Sequence, residues 1–367
     1  HLPRTASGKL DRRALPAPAR PAASAPPQGA AEELLAALWC DLLKLPRVGR
    51  HDNFFELGGH SLLAMQLVHR CGEIFARRPS LRSLFEYPTL AAFARVTDHG
   101  TPPAFAHLVP LQPGRIEAPL FCIHPAGGAV FCYQPLAAAL GCDQSVYGLQ
   151  ARGLEPDERA ATSVEQMAAQ YLAEIRMLQQ AGPYHFLGWS FGGLVAYEMA
   201  RQLQAEGERV ALLALLDTAL EQPDLADAEV SDKSVIETLI DVLGLEKIIP
   251  DAAPAITDLD GFVEAARQSG IWPRDFSTVQ AARIIELFKL NVAQGRTYAP
   301  GAYDGDILLF RALDNPEGGD FDWSVKTTGN VRVVPLATTH NRVPFEPNAR
   351  MIADALRPLL ARRRPAK

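Results

Sequence analysis

Long apolar runs, paired cysteines and an excess of basic charge are all missing from this chain, and each absence removes a class of function. No apolar stretch approaches the roughly 20 residues a membrane-spanning helix requires, so no membrane partner is expected. No secretory signal pattern opens the chain. It starts at His1 and reads as a piece of something longer. The five cysteines (Cys40, Cys71, Cys122, Cys132 and Cys142) form no CxxC pair and no metal-ligand spacing. No metal is expected, and the thiols read as reduced, in a cytoplasmic protein. A net charge of −6 gives nucleic acid no general basic surface to bind. The basic end "ARRRPAK" reads as a solvated tail.

At 367 residues the chain is long enough for two domains. Two stretches divide it. "LPAPARPAASAPPQGAA" (15–31) is rich in proline and alanine without apolar period, and "TDHGTPPAFAH" (97–107) is a shorter break. The expected organisation is a stub (1–16), a linker (17–28), a small domain (29–97), a second linker (98–107) and a large domain (108–362).

In the small domain, Leu34, Leu38 and Leu42, with Leu35, Trp39 and Leu43 beside them, predict one wide apolar helix face. A long loop follows. A second helix is expected from Ser61, with Leu62, Met65, Leu67 and Val68, and a third near "TLAAFARV", capped by Thr89. The reading is a small bundle of three or four helices. The large domain alternates short continuous apolar runs with amphipathic stretches. The runs are "PLFCIHP" (119–125), "SVYGLQ" (145–150), "YHFLGW" (184–189), "VALLALLD" (210–217), "DILLFRA" (306–312) and "VRVVPL" (331–336). Such runs suit strands of a mostly parallel sheet with helices on both faces. Residues of about 220–300 break the rhythm with helical patterns only, which predicts a lid.

Two serines follow or flank glycines. "GWSFG" (188–192) fits G-x-S-x-G between a strand-like and a helix-like run, so Ser190 is the expected nucleophile on a tight elbow. A serine needs a base, and the base an orienting acid. His340 is the one histidine after Ser190. Asp217 and Asp314 both end strand-like runs and either could serve as the acid; Asp224 and Asp227, in loop, have weaker claims. Two backbone donors are needed for an oxyanion. The Phe191 N–H, next after the nucleophile, is one; Ala126, in "HPAGGAV" (124–130), is the other candidate, with His124 shaping that turn. Ser61 has no such support. Its neighbour His60 cannot face it productively on a helix, so the plain reading is an N-cap.

"DNFFELGGHSLLAMQLV" (52–68), however, closely resembles the attachment motif of peptidyl carrier proteins. The resemblance implies that Ser61 carries 4′-phosphopantetheine. A phosphodiester at a helix N-terminus agrees with the dipole and the free N–H groups there. Acids and bases balance over residues 29–100, as in peptide-synthetase carriers rather than the acidic fatty-acid ones. "LPRTASGKLDRRALP" (2–16) looks like the end of an adenylation domain, with Lys9 at the adenylate-forming position; without the rest of that domain it should be inert. The large domain resembles type I thioesterases, of α/β-hydrolase fold. In that family the acid follows the strand before the lid, which selects Asp217 over Asp314. The family usually has glycine before the catalytic histidine, where this chain has Thr339.

The implied function is that of a nonribosomal peptide synthetase termination module. The peptidyl thioester passes from the carrier to Ser190, and macrocyclisation or hydrolysis releases the peptide. The implied partners are upstream adenylation and condensation domains and a phosphopantetheinyl transferase. Two rival readings use the same residues differently. A standalone serine esterase needs Ser190 and makes Ser61 irrelevant; a carrier fused to a degenerate hydrolase that only docks partners keeps Ser61 and discards Ser190.

Overall fold

The computed structural model describes residues 25–361 apart from 60, 76–78, 80, 100–106, 113, 116–117, 155–157, 221–229, 244–255, 257, 269–276 and 315–318. The stub with Lys9, and Asp224 and Asp227, lie outside the described residues.

The small domain is built from α1 (Gly29–Leu43), α2 (Ser61–Ile74), α3 (Leu81–Glu86) and α4 (Leu90–His99). In α1, Leu35, Leu38 and Trp39 turn inward, whereas Leu34 is 46% exposed. The buried stripe is therefore narrower than the leucine spacing suggests. The helix ends at Lys44, whose left-handed backbone (φ 53°) lets its N–H bond back to the Cys40 carbonyl. The following loop is anchored by Phe54, fully buried and edge-on to Trp39 with ring centroids 5.0 Å apart. In α2, Ala64, Leu67, Val68 and Cys71 recur at helical spacing and are buried. The side chains of Leu62 and Met65 lie outside the described residues. Periodicity does not predict α3, because six residues complete too few turns to establish a period.

The large domain holds one seven-stranded sheet. Its strands are β1 (Leu108–Gln112), β2 (Leu120–Ile123), β3 (Val146–Leu149), β4 (Tyr184–Trp189), β5 (Val210–Leu216), β6 (Ile307–Ala312) and β7 (Val331–Leu336), in the order β1-β3-β2-β4-β5-β6-β7. All neighbours are parallel except the antiparallel edge pair β1 and β3. β2 to β7 fall on the six expected runs. The addition is β1, a short edge strand interrupted by Pro110, which hides its pattern.

The apolar runs are continuous because alternate residues feed two separate cores. Phe121, Ile123, Phe186, Leu213 and Leu215 pack with α6 (Val164–Leu178) and α7 (Phe191–Ala205). Cys122, Leu187, Ala214 and Leu216 pack on the other face with α5 (Gln134–Leu140) and α11 (Asn348–Leu360). In the interval from β5 to β6, the described elements are α8 (Asp232–Leu243), α9 (Leu259–Gln268) and α10 (Thr278–Thr297). They share a small core of their own, including Val235, Ile236, Phe262, Val263 and Ile285. Ser277 and Gln280 form a reciprocal capping box at the start of α10.

The two domains meet through aromatic rings. Phe85 of α3, only 5% exposed, stacks on Phe55 at 4.5 Å and on Phe131 of the large domain at 5.1 Å. α3 also lies against β1. Phe131 directly follows the "HPAGGAV" turn, so the small domain rests beside that turn. An aromatic pair of this kind contributes about 0.5–1.5 kcal/mol beyond simple burial. Phe131→Ala is therefore expected to shift the docked population about two- to tenfold toward separation. Backbone ¹⁵N relaxation would register this as faster tumbling of residues 29–97 relative to the large domain.

Candidate active site

The site forms where parallel strands end and their connections diverge, the usual ligand position in open α/β sheets. β4 ends at Trp189 and α7 begins at Phe191, leaving Ser190 alone on the turn with φ 56° and ψ −126°. The turn is possible because two backbones touch. A Cβ at Gly188 would lie 2.1 Å from the Gly192 carbonyl oxygen, and a Cβ at Gly192 would lie 2.4 Å from that of Ile123. Such a serine conformation costs about 1–3 kcal/mol and needs outside support. The Ser190 N–H donates to the Leu216 carbonyl at 2.9 Å, and the Thr218 hydroxyl donates to the Ser190 carbonyl at 3.1 Å.

His340 opens a single 3-10 turn, His340–Arg342, after β7. Its Nδ1–H donates to Asp217 Oδ2 at 2.8 Å. The other Asp217 oxygen accepts the Ala312 N–H at 2.9 Å, and the residue is 1% exposed. Asp314, beyond the end of β6, is solvent-exposed. Of the two carboxylates left open by position along the chain, Asp217 is the one that meets His340. The imidazole also packs against Trp189, the residue before Ser190, at 5.6 Å between ring centroids. Thr339 has ordinary extended backbone (φ −84°, ψ 162°), so a β-branched residue is accommodated there.

Phe191 starts α7, where the first N–H groups have no acceptor within the helix. The Ala126 peptide is held from both sides. Its preceding carbonyl, that of Pro125, accepts the Gly128 N–H at 2.9 Å and the His124 Nδ1–H at 2.8 Å. Its own carbonyl accepts the Asn291 side-chain amide of α10 at 2.8 Å. Tyr133 ties the adjoining strand ends together: its hydroxyl donates to the Ile123 carbonyl and accepts the Trp189 N–H. Tyr133, Thr218 and Asn291 have no motif or spacing that marks them in the sequence; they are recruited by three-dimensional proximity.

His124 is fully buried and is not the base. A carbonyl can only accept, so Nδ1 carries the proton and Nε2 accepts from the Tyr171 hydroxyl at 2.7 Å. Burial pushes its pKa down, to about 4. The neutral folded form is thus favoured, and the unfolded chain binds the extra proton between pH 6.5 and 4. The stability from this residue is complete above pH 6.5 and falls by roughly 3 kcal/mol as the pH drops to 4. Urea unfolding at pH 7 and pH 4.5 should therefore differ less in His124→Asn than in the parent chain.

Ser61 is the first residue of α2, remote in sequence from this constellation and without acidic residues in its helical turn. The backbone at that helix start suits an anionic phosphodiester. His60 and the Ser61 side chain lie outside the described residues. Among the described residues no helix is long and apolar enough to cross a membrane, and no His/Cys/Asp/Glu group could hold a metal.

Comparison with known proteins places both parts of the chain. Residues 118–343 match the thioesterase domain family, and residues 33–96 match the phosphopantetheine attachment site family. The chain is 39% identical over 347 residues to a dimodular nonribosomal peptide synthase of Bacillus subtilis (strain 168), covering 92% of this chain and 14% of that protein. It is 35% identical over 353 residues to malpinin synthetase of Mortierella alpina, covering 93% and 4%. A crystal structure of holo-AB3403, a four-domain nonribosomal peptide synthetase bound to AMP and glycine, aligns with 99% of this chain and 28% of its own length. The TM-score is 0.63 at 29% identity. The NocB thioesterase domain, in covalent complex with a fluorophosphonate nocardicin G analogue, aligns over 70% of this chain and 100% of its own length, with a TM-score of 0.50 and 25% identity. The chain belongs to the thioesterase-domain family, and a phosphopantetheine-attachment domain precedes its α/β-hydrolase sheet.

Proposed function

We propose that this chain is the terminal carrier–thioesterase portion of a nonribosomal peptide synthetase and that Ser190, His340 and Asp217 form its catalytic triad. The observation that carries the reading is the buried Asp217 carboxylate bonded to His340 beside the Ser190 elbow. The carrier domain bears 4′-phosphopantetheine, with Ser61 as its attachment point; the arm supplies the thiol on which an acyl chain is held as a thioester. Upstream adenylation and condensation domains and a phosphopantetheinyl transferase are the partners this implies.

The chemistry follows from the residues. His340 Nε2 takes the Ser190 proton as the serine oxygen attacks the thioester carbonyl. Asp217 holds the imidazole in the Nδ1–H tautomer and stabilises the imidazolium. The Phe191 and Ala126 N–H groups receive the oxyanion. As the intermediate collapses, the carbon–sulfur bond breaks and His340 gives its proton to the departing thiolate. The acyl-Ser190 ester is opened by water, giving a linear acid, or by an internal amine or hydroxyl of the peptide, giving a ring.

Three outcomes test the assignments. Asp217→Asn should cost kcat on the order of 10⁴, as the equivalent change does in a serine protease, whereas Asp314→Asn should change it less than about threefold. Hydrolysis of a soluble peptidyl thioester measures both, and the reverse ranking would overturn the choice of acid. Ser190→Ala, with a rate loss on the order of 10⁶ in the comparable protease, should trap the acyl chain on the carrier. The mass of each domain, measured after loading with a synthetic peptidyl-pantetheine and proteolysis near residue 100, reads this directly; acyl mass on the large domain would mean another nucleophile. Ser61→Ala should abolish the gain of pantetheine mass and leave hydrolysis of small soluble thioesters unchanged.

A further inference from the structure

Asp241 stands on the last turn of α8, the first described helix of the lid, and makes three hydrogen bonds to the two residues that follow His340. Its Oδ2 accepts the Asn341 side-chain amide at 2.9 Å. Its Oδ1 accepts from Arg342 Nη2 at 2.7 Å, and its main-chain carbonyl accepts from the same nitrogen at 2.8 Å. Asn341 and Arg342 complete the 3-10 turn that His340 opens. On the other side of the turn, the Arg342 carbonyl accepts the Asn348 amide at the start of α11. The turn is thus held between the body of the domain and the lid.

Most of the remaining packing of α8 is with the other lid helices, although Val242 also lies against the sheet core. Val235, Ile236 and Ile240 join the core shared with α9 and α10, and Asp232 pairs with Lys289 of α10. α8 is thus packed chiefly as part of the lid, through Val235, Ile236 and Ile240. His340 itself has two restraints from the body of the domain, the Asp217 bond at Nδ1 and the Trp189 face. The turn that carries its backbone is tied to the body by the fully buried Val343 after it and to α8 by Asp241.

We propose that Asp241 is a positioning residue for the catalytic base: through Asn341 and Arg342 it makes the placement of His340 depend on where α8 sits, so that lid position and proton transfer are coupled. Charge-assisted hydrogen bonds are the stronger class, and a misplacement of about 1 Å at a reacting group lowers rates about 10²-fold. This inference rests on His340 being the base, and the experiment separates the two.

The test measures inactivation of the full holo chain by phenylmethylsulfonyl fluoride, a small reagent whose sulfur is attacked by an activated serine oxygen as fluoride leaves and the base takes the serine proton. Asp241→Ala should lower the maximal inactivation rate between about five- and fiftyfold while the reagent's apparent binding constant stays within about twofold. Arg342→Ala should give a similar loss, and the double variant no more than the larger single loss, because both remove the same contact. Asp241→Asn keeps the main-chain acceptor and one side-chain acceptor and should recover part of the rate. It also stands in for the alanine variant if thermal unfolding shows that Asp241→Ala is poorly folded. An unchanged maximal rate with altered binding alone would make Asp241 only a lid fastener, and fully additive losses would make the two residues independent; either result overturns the coupling. His340→Ala is the control for the underlying reading. If it reacts at the parent rate, the triad fails; if it is inert while Asp241→Ala reacts normally, the triad stands and the clamp fails.

Discussion

Everything in the large domain depends on the contact between the two backbones that cross at Gly188 and Gly192. The sheet delivers β4 between β2 and β5, and α7 must leave it so tightly that neither glycine has space for a Cβ. Ser190 is left in a region of backbone space that serine rarely occupies. A conformation that costs free energy locally persists only where its surroundings over-determine it. Here they do: bonds from the ends of neighbouring strands and the buried face of α7 hold the elbow from several sides. Asp217, also at positive φ (44°), ends the next strand, so two unusual backbones stand side by side where the chemistry is proposed.

The same economy governs the groups around the elbow. Three buried side chains around the elbow are each held by two partners. Asp217 uses one oxygen for His340 and the other for the Ala312 N–H. His124 uses one nitrogen for the Pro125 carbonyl and the other for the Tyr171 hydroxyl. Tyr133 uses its hydroxyl both ways between two strand ends. In a low-dielectric setting such pairing is a condition for burial, and it also leaves each group little rotational freedom. Preorganisation of this kind is what stabilisation of developing charge requires.

The small domain and the helical insertion between β5 and β6 both reach the neighbourhood of the site through specific side chains. The carrier approaches through the stack of Phe55, Phe85 and Phe131, beside the turn that holds Ala126. The lid approaches through Asn291 on the Ala126 carbonyl and through Asp241 on the turn of His340.

Much of this was legible in the chain. Continuous apolar runs marked six of the seven strands, because a strand buried on both faces has no polar side. Gly-x-Ser-x-Gly between strand and helix marked the elbow, because that turn has few sequence solutions. Ser61 was marked by a resemblance rather than by physics, since a serine at a helix start is otherwise only a cap. Position along the chain left Asp217 and Asp314 both open, and it was the family resemblance that favoured Asp217; the sheet order and the path of the chain after β7 are what bring Asp217 to His340. The sequence alone could not mark α3, β1, Tyr133, Asn291 or Asp241. α3 is too short for a period to develop, and Pro110 interrupts the pattern of β1. Each of the last three has a partner far away in the chain, and hydrogen bonds across separations of 56 to 165 residues leave no local pattern. Sequence determined the elements and the chemistry on offer, because those follow from local sterics and side-chain type; tertiary structure decided which groups meet, because that depends on how the strands are ordered and how the connections cross above them.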